Sequence, residues 1–365
     1  PGEDEKLYRT VQAVGMELCP ALGITIPVGK DSMSMRTAWQ QQGEEKAVTS
    51  PMSLIITTFS PVLDVRKTVT PQLRTDRGDT ALLFLDLAAG AQRMGGSILA
   101  QVNCEMGDTA PDLDSPALIK GFFDAMQASL EQDDILAYHD RSDGGLLATL
   151  VEMSFAGHVG ISVDVAGLGG DSIAALFNEE LGAVIQVTAA RLDAVVERFT
   201  DCGVSVHQIG GLNDLQQIEI TQNARRFFSR PRVDLQRTWS ETSYRMAALR
   251  DNTECAWEEF SDIKSSDPGL SASLTYDPAE DIAAPYINKG VKPAVAILRE
   301  QGVNSHVEMA AAFSRAGFNA VDVHMSDLLA GRQVLSDFAG VVVCGGFSYC
   351  DVLGAGEGWA KTVLF

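Results

Sequence analysis

The sequence predicts a multidomain protein of mixed α/β and α+β class: an incomplete leading block, a complete α+β lobe, a connector and a parallel-sheet block. Three observations predict this. The chain has 365 residues, which at roughly 100–200 residues per domain means two or three domains. Between residues 76 and 235, apolar strands alternate with helical patterns across several short connections, which favours α+β over a long doubly wound sheet. From residue 291 a strand–helix–strand pattern restarts cleanly, as in a parallel sheet whose second half is absent.

Taken in order, residues 1–75 begin with an amphipathic run (Leu7, Val11, Val14, Met16, Leu18) expected to be a helix stopped by Pro20 and Gly23. ITIPVGKDSMSM and SLIITTFSPVLDV read as strands, the second a buried one, with a polar, glycine-containing hairpin loop at residues 40–46. The block looks like the tail of a domain whose beginning is missing, and both chain ends look cut. In the lobe, TALLFLDLA, GISVDV, GAVIQVT and VSVHQIGGL are strands. SPALIKGFFDAMQASLEQDDILA, LLATLVEMSFAG, DSIAALFNEEL and ARLDAVVERFTDCG are helices, the first opened by Ser115-Pro116. Residues 236–290, broken by Pro268, Pro278 and Pro285, read as a helix and an extended connector. In residues 291–365, KPAVAILRE, FNAVDVHM and AGVVVCGG are strands, SHVEMAAAFSRAG is a helix closed by Gly317, and AGEGWAKTVLF begins another, with Trp359 in its core.

Composition excludes several function classes. A net charge of −21 repels polyphosphate backbones, which argues against nucleic-acid binding. No apolar run is long enough for a membrane helix, and the acidic start PGEDEKLYRT is not a signal peptide. Six scattered cysteines without a C-x-x-C pair suit a reducing compartment, so a cytoplasmic location is expected.

The segment most loaded with chemistry is HDRSDGG, residues 139–145. Carboxylates beside a glycine turn suit a hard cation such as Mg²⁺, which takes oxygen ligands and commonly shares them with phosphates. Ser142 can donate to a phosphate or nucleotide. The competing reading is a helix start in which Asp143 caps LLATLVEM and Arg141 pairs nearby. In GKDSMSM, Lys30 and Asp31 fit either phosphate and metal support or a solvated charge pair. Asn178, Glu179 and Glu180 of FNEELG fit packing or an interface better than catalysis.

HDRSDGGLL, FNEELG and GKDSMSM resemble the aminoimidazole-ribonucleotide-synthetase-like superfamily. AEDIAAPY (the family form carries Asn where Ala279 stands), LREQGVNSHVEMAAAF and GGFSYCDVLGAGEGWAK are similar to the formylglycinamide ribonucleotide amidotransferase family. The resemblance runs across the whole chain. It implies the end of a synthetase-like N-domain at 1–75, a complete synthetase-like C-domain at 76–235, a linker at 236–290 and the first half of a class I, flavodoxin-like glutamine amidotransferase domain at 291–365. It implies an ATP-dependent C–N ligase that uses glutamine to convert formylglycinamide ribonucleotide to the amidine in purine biosynthesis, in a monomeric full-length protein.

Residue by residue, the resemblance implies that Asp140 binds Mg²⁺ and Ser142 contacts ATP or ADP, at a nucleotide site that is auxiliary and structural. Remaining metal ligands are expected before Pro1. Gly345 and Gly346 are the candidate oxyanion turn, whose backbone N–H groups would face a developing charge. The family's nucleophilic cysteine is expected beyond Phe365, so the segment alone should lack glutaminase activity. Cys344 lacks the G-x-C-x-G elbow, and Cys350 stands where the family has glycine. His139 is placed to orient Asp140, whereas His158, His207, His306 and His324 read as structural. Two other readings stay open: a non-catalytic scaffold stabilised by nucleotide and Mg²⁺, and another ATP-dependent member of the synthetase superfamily.

Overall fold

A computed structural model describes residues 2–29, 35–265, 269–287, 289–351 and 354–364. The chain divides into two units, residues 1–267 and 268–365.

The first unit opens with a helix over Glu3–Gln12, which continues through a wider π turn (Ala13–Leu18) into Cys19–Leu22 and is closed by left-handed Gly23. Pro20 does not stop it: it follows directly on the π turn, where the regular i→i−4 ladder is already interrupted. Strands β1 (Arg36–Gln41) and β2 (Glu44–Thr49) form an antiparallel hairpin. Both turn residues, Gln42 (φ 55°) and Gly43 (φ 84°), are left-handed, as a two-residue hairpin turn demands. The expected buried strand SLIITTF is not one: residues 50–62 carry no regular structure, and Ile55 and Phe59 are at least 90% exposed. Strand propensity needs a partner, and none pairs with this stretch among the described residues.

A seven-stranded sheet carries the rest of the unit. It comprises β3 (Thr80–Asp86), β4 (Ile135–Asp140), β5 (Gly160–Asp164), β6 (Gly182–Thr188), β7 (Ser205–Asn213), β8 (Gln217–Gln222) and β9 (Arg225–Pro231). The order is β4-β6-β3-β7-β5-β8-β9, antiparallel throughout except where β5 lies parallel to β8. Period-two alternation sorts β3 between two cores. Leu82 and Phe84 pack with Leu146, Leu150 and Ile161 on one face. Ala81, Leu83 and Leu85 pack with Ile185, Val195 and Phe199 on the other. The first core is covered by the Gly145–Gly157 helix, the second by Pro116–Glu131 and Leu192–Asp201. Ser115 caps the Pro116–Glu131 helix by accepting from Leu118 N–H, as its sequence predicts. Beyond β9 two helices follow, Arg232–Arg250 and Thr253–Asp262, where one had been expected.

The second unit is a three-stranded parallel sheet of β10 (Ala294–Arg299), β11 (Asn319–His324) and β12 (Gly340–Val343), in the order β11-β10-β12. The His306–Arg315 helix joins the first two strands, and Ala355–Leu364 follows the third. Trp359 is buried with Ala296, Leu298 and Val323.

Candidate functional site

Edge strand β4 delivers HDRSDGG to the end of the large sheet. After Asp140, Arg141 N–H still donates to Gly182 O at 2.7 Å, and the chain then turns, Gly145 N–H donating to Ser142 O at 2.9 Å. The turn needs its glycines. Gly145 has φ 70°, and a Cβ there would sit 2.6 Å from Leu176 O and 2.8 Å from Asn178 O. Gly144, not Asp143, occupies the helix N-cap, with no side-chain bond to the helix. The expected Asp143 cap is therefore absent, because two left-handed glycines set the helix entry and carry Asp143 to the surface.

FNEELG braces this bend. Glu179 Oε1 accepts from Gly144 N–H and from Ile98 N–H, both at 2.8 Å. Fully buried Glu180 receives Arg93 as a fork, at 2.6 and 2.8 Å, plus the Arg93 backbone N–H at 3.0 Å. Asn178, also fully buried, donates to Ala174 O at 2.6 Å. All three residues do the packing work their composition suggested.

Arg141 is an anchor. Its guanidinium donates to Glu180 O at 2.5 Å, Leu181 O at 3.0 Å and Asp86 Oδ1 at 3.3 Å, and lies 4.7 Å from the Phe84 ring centroid. Burial pulls it below its ordinary pKa although Asp86 and Glu180 oppose the shift.

Asp140 and Ser142, by contrast, face outward. The Asp140 side chain is 61% exposed, and Ser142 is exposed as well. Asp140 lines a depression of about 250 Å³ with Phe122, Phe123, Tyr138, Arg141 and Leu181. The Tyr138 hydroxyl is pushed up to about 12 by burial and by Asp140. Beside Asp140, His139 Nδ1 stands 3.5 Å from Oδ1, while His139 Nε2–H donates to Glu152 Oε2 at 2.8 Å. Buried Nδ1 has no hydrogen-bond partner among the described residues. The exposed Asp140 carboxylate can give one oxygen ligand to a hydrated divalent cation, whereas the buried His139 Nδ1 is closed to it. Among the described residues no group of three or more His, Cys, Asp and Glu could hold a metal by itself. Glu152 and Trp239, whose indole donates to Glu152 Oε1 at 2.9 Å, were not singled out from sequence. A lone Glu152 in the apolar run LLATLVEMSF was the available signal.

In the second unit, β12 runs into Cys344 and the GGFSY turn. Gly346 bridges antiparallel to Val303, Phe347 N–H donates to Gly302 O at 2.9 Å, and Ser305 Oγ donates to Gly345 O at 3.2 Å. The N–H groups of Gly345 and Gly346 have no partner among the described residues. Cys344 is buried, and burial pushes its thiol pKa up, the opposite of an activated nucleophile. For Cys350 only the backbone is described, in a short 3₁₀ turn over Ser348–Asp351. Lys30 and Asp31 lie outside the described residues. His207 stacks on Phe84, and His324 caps Met325–Leu329.

Three family matches follow one another along the chain. Residues 1–61 match the FGAR-AT PurM_N-like domain, 79–222 the AIR synthase related protein C-terminal domain, and 292–365 the CobB/CobQ-like glutamine amidotransferase domain. Among solved structures, Thermotoga maritima PurL complexed with FGAR is 13% identical over 60% of this chain and 36% of that one, TM-score 0.44. T. maritima PurL complexed with ATP is 12% identical over 52% and 28%, TM-score 0.38. E. coli HypE, a hydrogenase maturation protein, is 15% identical over 45% and 51%, TM-score 0.33. The chain thus spans about a third of the length of the PurL chains it matches. A synthase-related lobe followed by a glutamine amidotransferase domain is the pairing of domain types that the chain carries. With the first match added, the chain belongs to the formylglycinamide ribonucleotide amidotransferase family.

Proposed function

We propose that this chain is part of an ATP-dependent C–N ligase that converts formylglycinamide ribonucleotide to formylglycinamidine ribonucleotide with glutamine as nitrogen donor, in the cytoplasm. The observation that carries the proposal is the succession of three family matches in one chain. Asp140 would hold Mg²⁺ and Ser142 would contact the diphosphate of a bound nucleotide; the cation supplies neutralisation of phosphate charge. Around that bend the chain's own residues do the orienting. Glu179 ties Gly144 N–H to the Ile98 segment, and Arg141 ties the strand end to the Glu180–Leu181 carbonyls.

This nucleotide site is structural in our reading. Among the described residues no group of three or more His, Cys, Asp and Glu surrounds Asp140, and the neighbouring Glu180 and Asp86 are paired with Arg93 and Arg141. In the second unit, Gly345 and Gly346 N–H groups would stabilise the tetrahedral oxyanion of glutamine hydrolysis. The nucleophile is neither Cys344, which is buried with a raised pKa, nor any other cysteine assigned here. The full-length protein incubated with ATP, glutamine and formylglycinamide ribonucleotide is expected to yield amidine and glutamate in equal amounts. Glutamine-independent turnover, or none, would refute the proposal.

A further inference from the structure

The GGFSY turn is held from outside by the connection between β10 and the His306–Arg315 helix. That connection, residues 300–305, runs antiparallel to the turn where Val303 bridges Gly346. The two segments meet glycine to glycine: a Cβ on Gly302 would collide with Phe347 O, and one on Gly346 with Gly302 O. Phe347 N–H donates to Gly302 O at 2.9 Å. Gly345 O accepts from Asn304 N–H at 3.5 Å and from the Ser305 hydroxyl at 3.2 Å.

Ser305 forgoes its ordinary role to make that bond. It is the N-cap of the His306–Arg315 helix, a position where a serine hydroxyl commonly accepts from the N–H two or three residues on. Here it makes no such bond, and its backbone (φ −110°, ψ 12°) departs from the extended conformation of a capping serine. The hydroxyl reaches across to Gly345 instead. Across a trans peptide, the N–H points opposite to the C=O. With Gly345 O held by Ser305, Gly346 N–H is therefore directed away from the connection, and it has no partner among the described residues. Gly346 itself, at φ 147°, has no side chain to restrict its torsions, so the hold must come from its neighbours. We infer that Ser305 is a positioning residue for glutamine hydrolysis: by holding Gly345 O, it aims Gly346 N–H at the oxygen that gains charge when the glutamine amide is attacked. The inference rests on the reading of Gly345 and Gly346 as the oxyanion donors.

Glutamate release by the full-length protein, with ATP and formylglycinamide ribonucleotide present, tests it. Ser305→Ala should lower kcat about tenfold with an unchanged KM for glutamine, because the weakened interaction exists only in the transition state. That is less than the roughly 10²–10³-fold loss from deleting an oxyanion donor outright. Its melting temperature should not move, since no helix cap is lost. Ser305→Thr keeps the hydroxyl and should restore most of kcat. Ser305→Asp can cap the helix but, ionised, has no proton to donate to Gly345 O. Its kcat should fall at least as far as that of Ser305→Ala, with the melting temperature held or raised. Gly345→Pro deletes one of the two N–H donors and should lose more than Ser305→Ala. Parent-like kcat in Ser305→Ala and Ser305→Asp, beside an impaired Gly345→Pro, would overturn the inference and leave the turn as the oxyanion donor. A Ser305→Ala loss confined to melting temperature would also overturn it. Parent-like kcat in Gly345→Pro would instead overturn the reading beneath it.

Discussion

Replacing Arg141 with Met tests whether the central residue of HDRSDGG holds the lobe together or serves a ligand. The guanidinium is 3% exposed and Asp86 is 6% exposed, so the pair is dry. Removing it strands the Glu180 carbonyl, which it reaches at 2.5 Å, takes one of two donors from Leu181 O, which keeps Leu87 N–H at 3.1 Å, and leaves Asp86 with the Ala88 and Gly90 N–H groups, at 3.2 and 2.7 Å. Breaking a buried ion pair from one side costs about 3–5 kcal/mol, and each stranded acceptor about 1–3 kcal/mol. These overlap, so we expect a total of about 4 kcal/mol. At about 2–4 °C per kcal/mol for a unit of this size, the melting temperature should fall by about 8–16 °C. Urea and thermal unfolding followed by circular dichroism measure it. The Asp86→Asn/Arg141→Met double variant should cost less than the sum of the singles by about 1–3 kcal/mol, because the stranded charge is gone. A single-variant loss under about 0.5 kcal/mol, the level of an ordinary surface substitution, would refute the reasoning.

Three further outcomes follow from the same structure. Gly145→Ala should destabilise the first unit strongly, since φ is 70° and backbone carbonyls crowd the Cβ position, whereas Gly345→Ala, which meets open space, should leave stability unchanged; thermal melts of both decide this. Asp134 is pushed toward a higher pKa by burial, but Arg191 and Arg198 outweigh this and hold it below the ordinary carboxylate range. Its contribution is therefore full above the unfolded-state pKa and is lost as pH falls through the folded-state one, so Asp134→Asn should flatten the acid limb of a stability–pH curve. An unaltered acid limb would contradict that assignment. Buried Cys344 should react with a thiol reagent at pH 8 well after exposed Cys104 and Cys255, read by mass spectrometry of digests, and Cys344→Ala should leave any glutamate release unchanged.

How much was legible depended on whether the interaction was local. Strands β3 and β10 announce themselves by unbroken apolar runs, and β6 by one interrupted only at Gln186, because a strand buried on both faces has little polar side to show. Ser115-Pro116 announces a helix start because cap and N1 chemistry act within four residues. SLIITTF misled, since its apolar residues report only a preference for a partner. The β8–β9 hairpin was passed over because its turn, Asn223 and Ala224, puts a residue other than glycine at φ 61°. Asp140 and Ser142 were proposed from a contiguous motif. The Glu152–Trp239 contact spans 87 residues, and Arg93 to Glu180 also spans 87, so neither pairing could be read from spacing.

Titration calorimetry of ADP into the full-length protein, with and without Mg²⁺, weighs most directly on the proposition that the 140–145 bend carries a magnesium-bridged diphosphate. The account predicts Mg²⁺-dependent ADP binding that Asp140→Ala weakens at least about tenfold, about 1.4 kcal/mol, with no nucleotide hydrolysed at that site. Equal affinity in the parent and Asp140→Ala would contradict it.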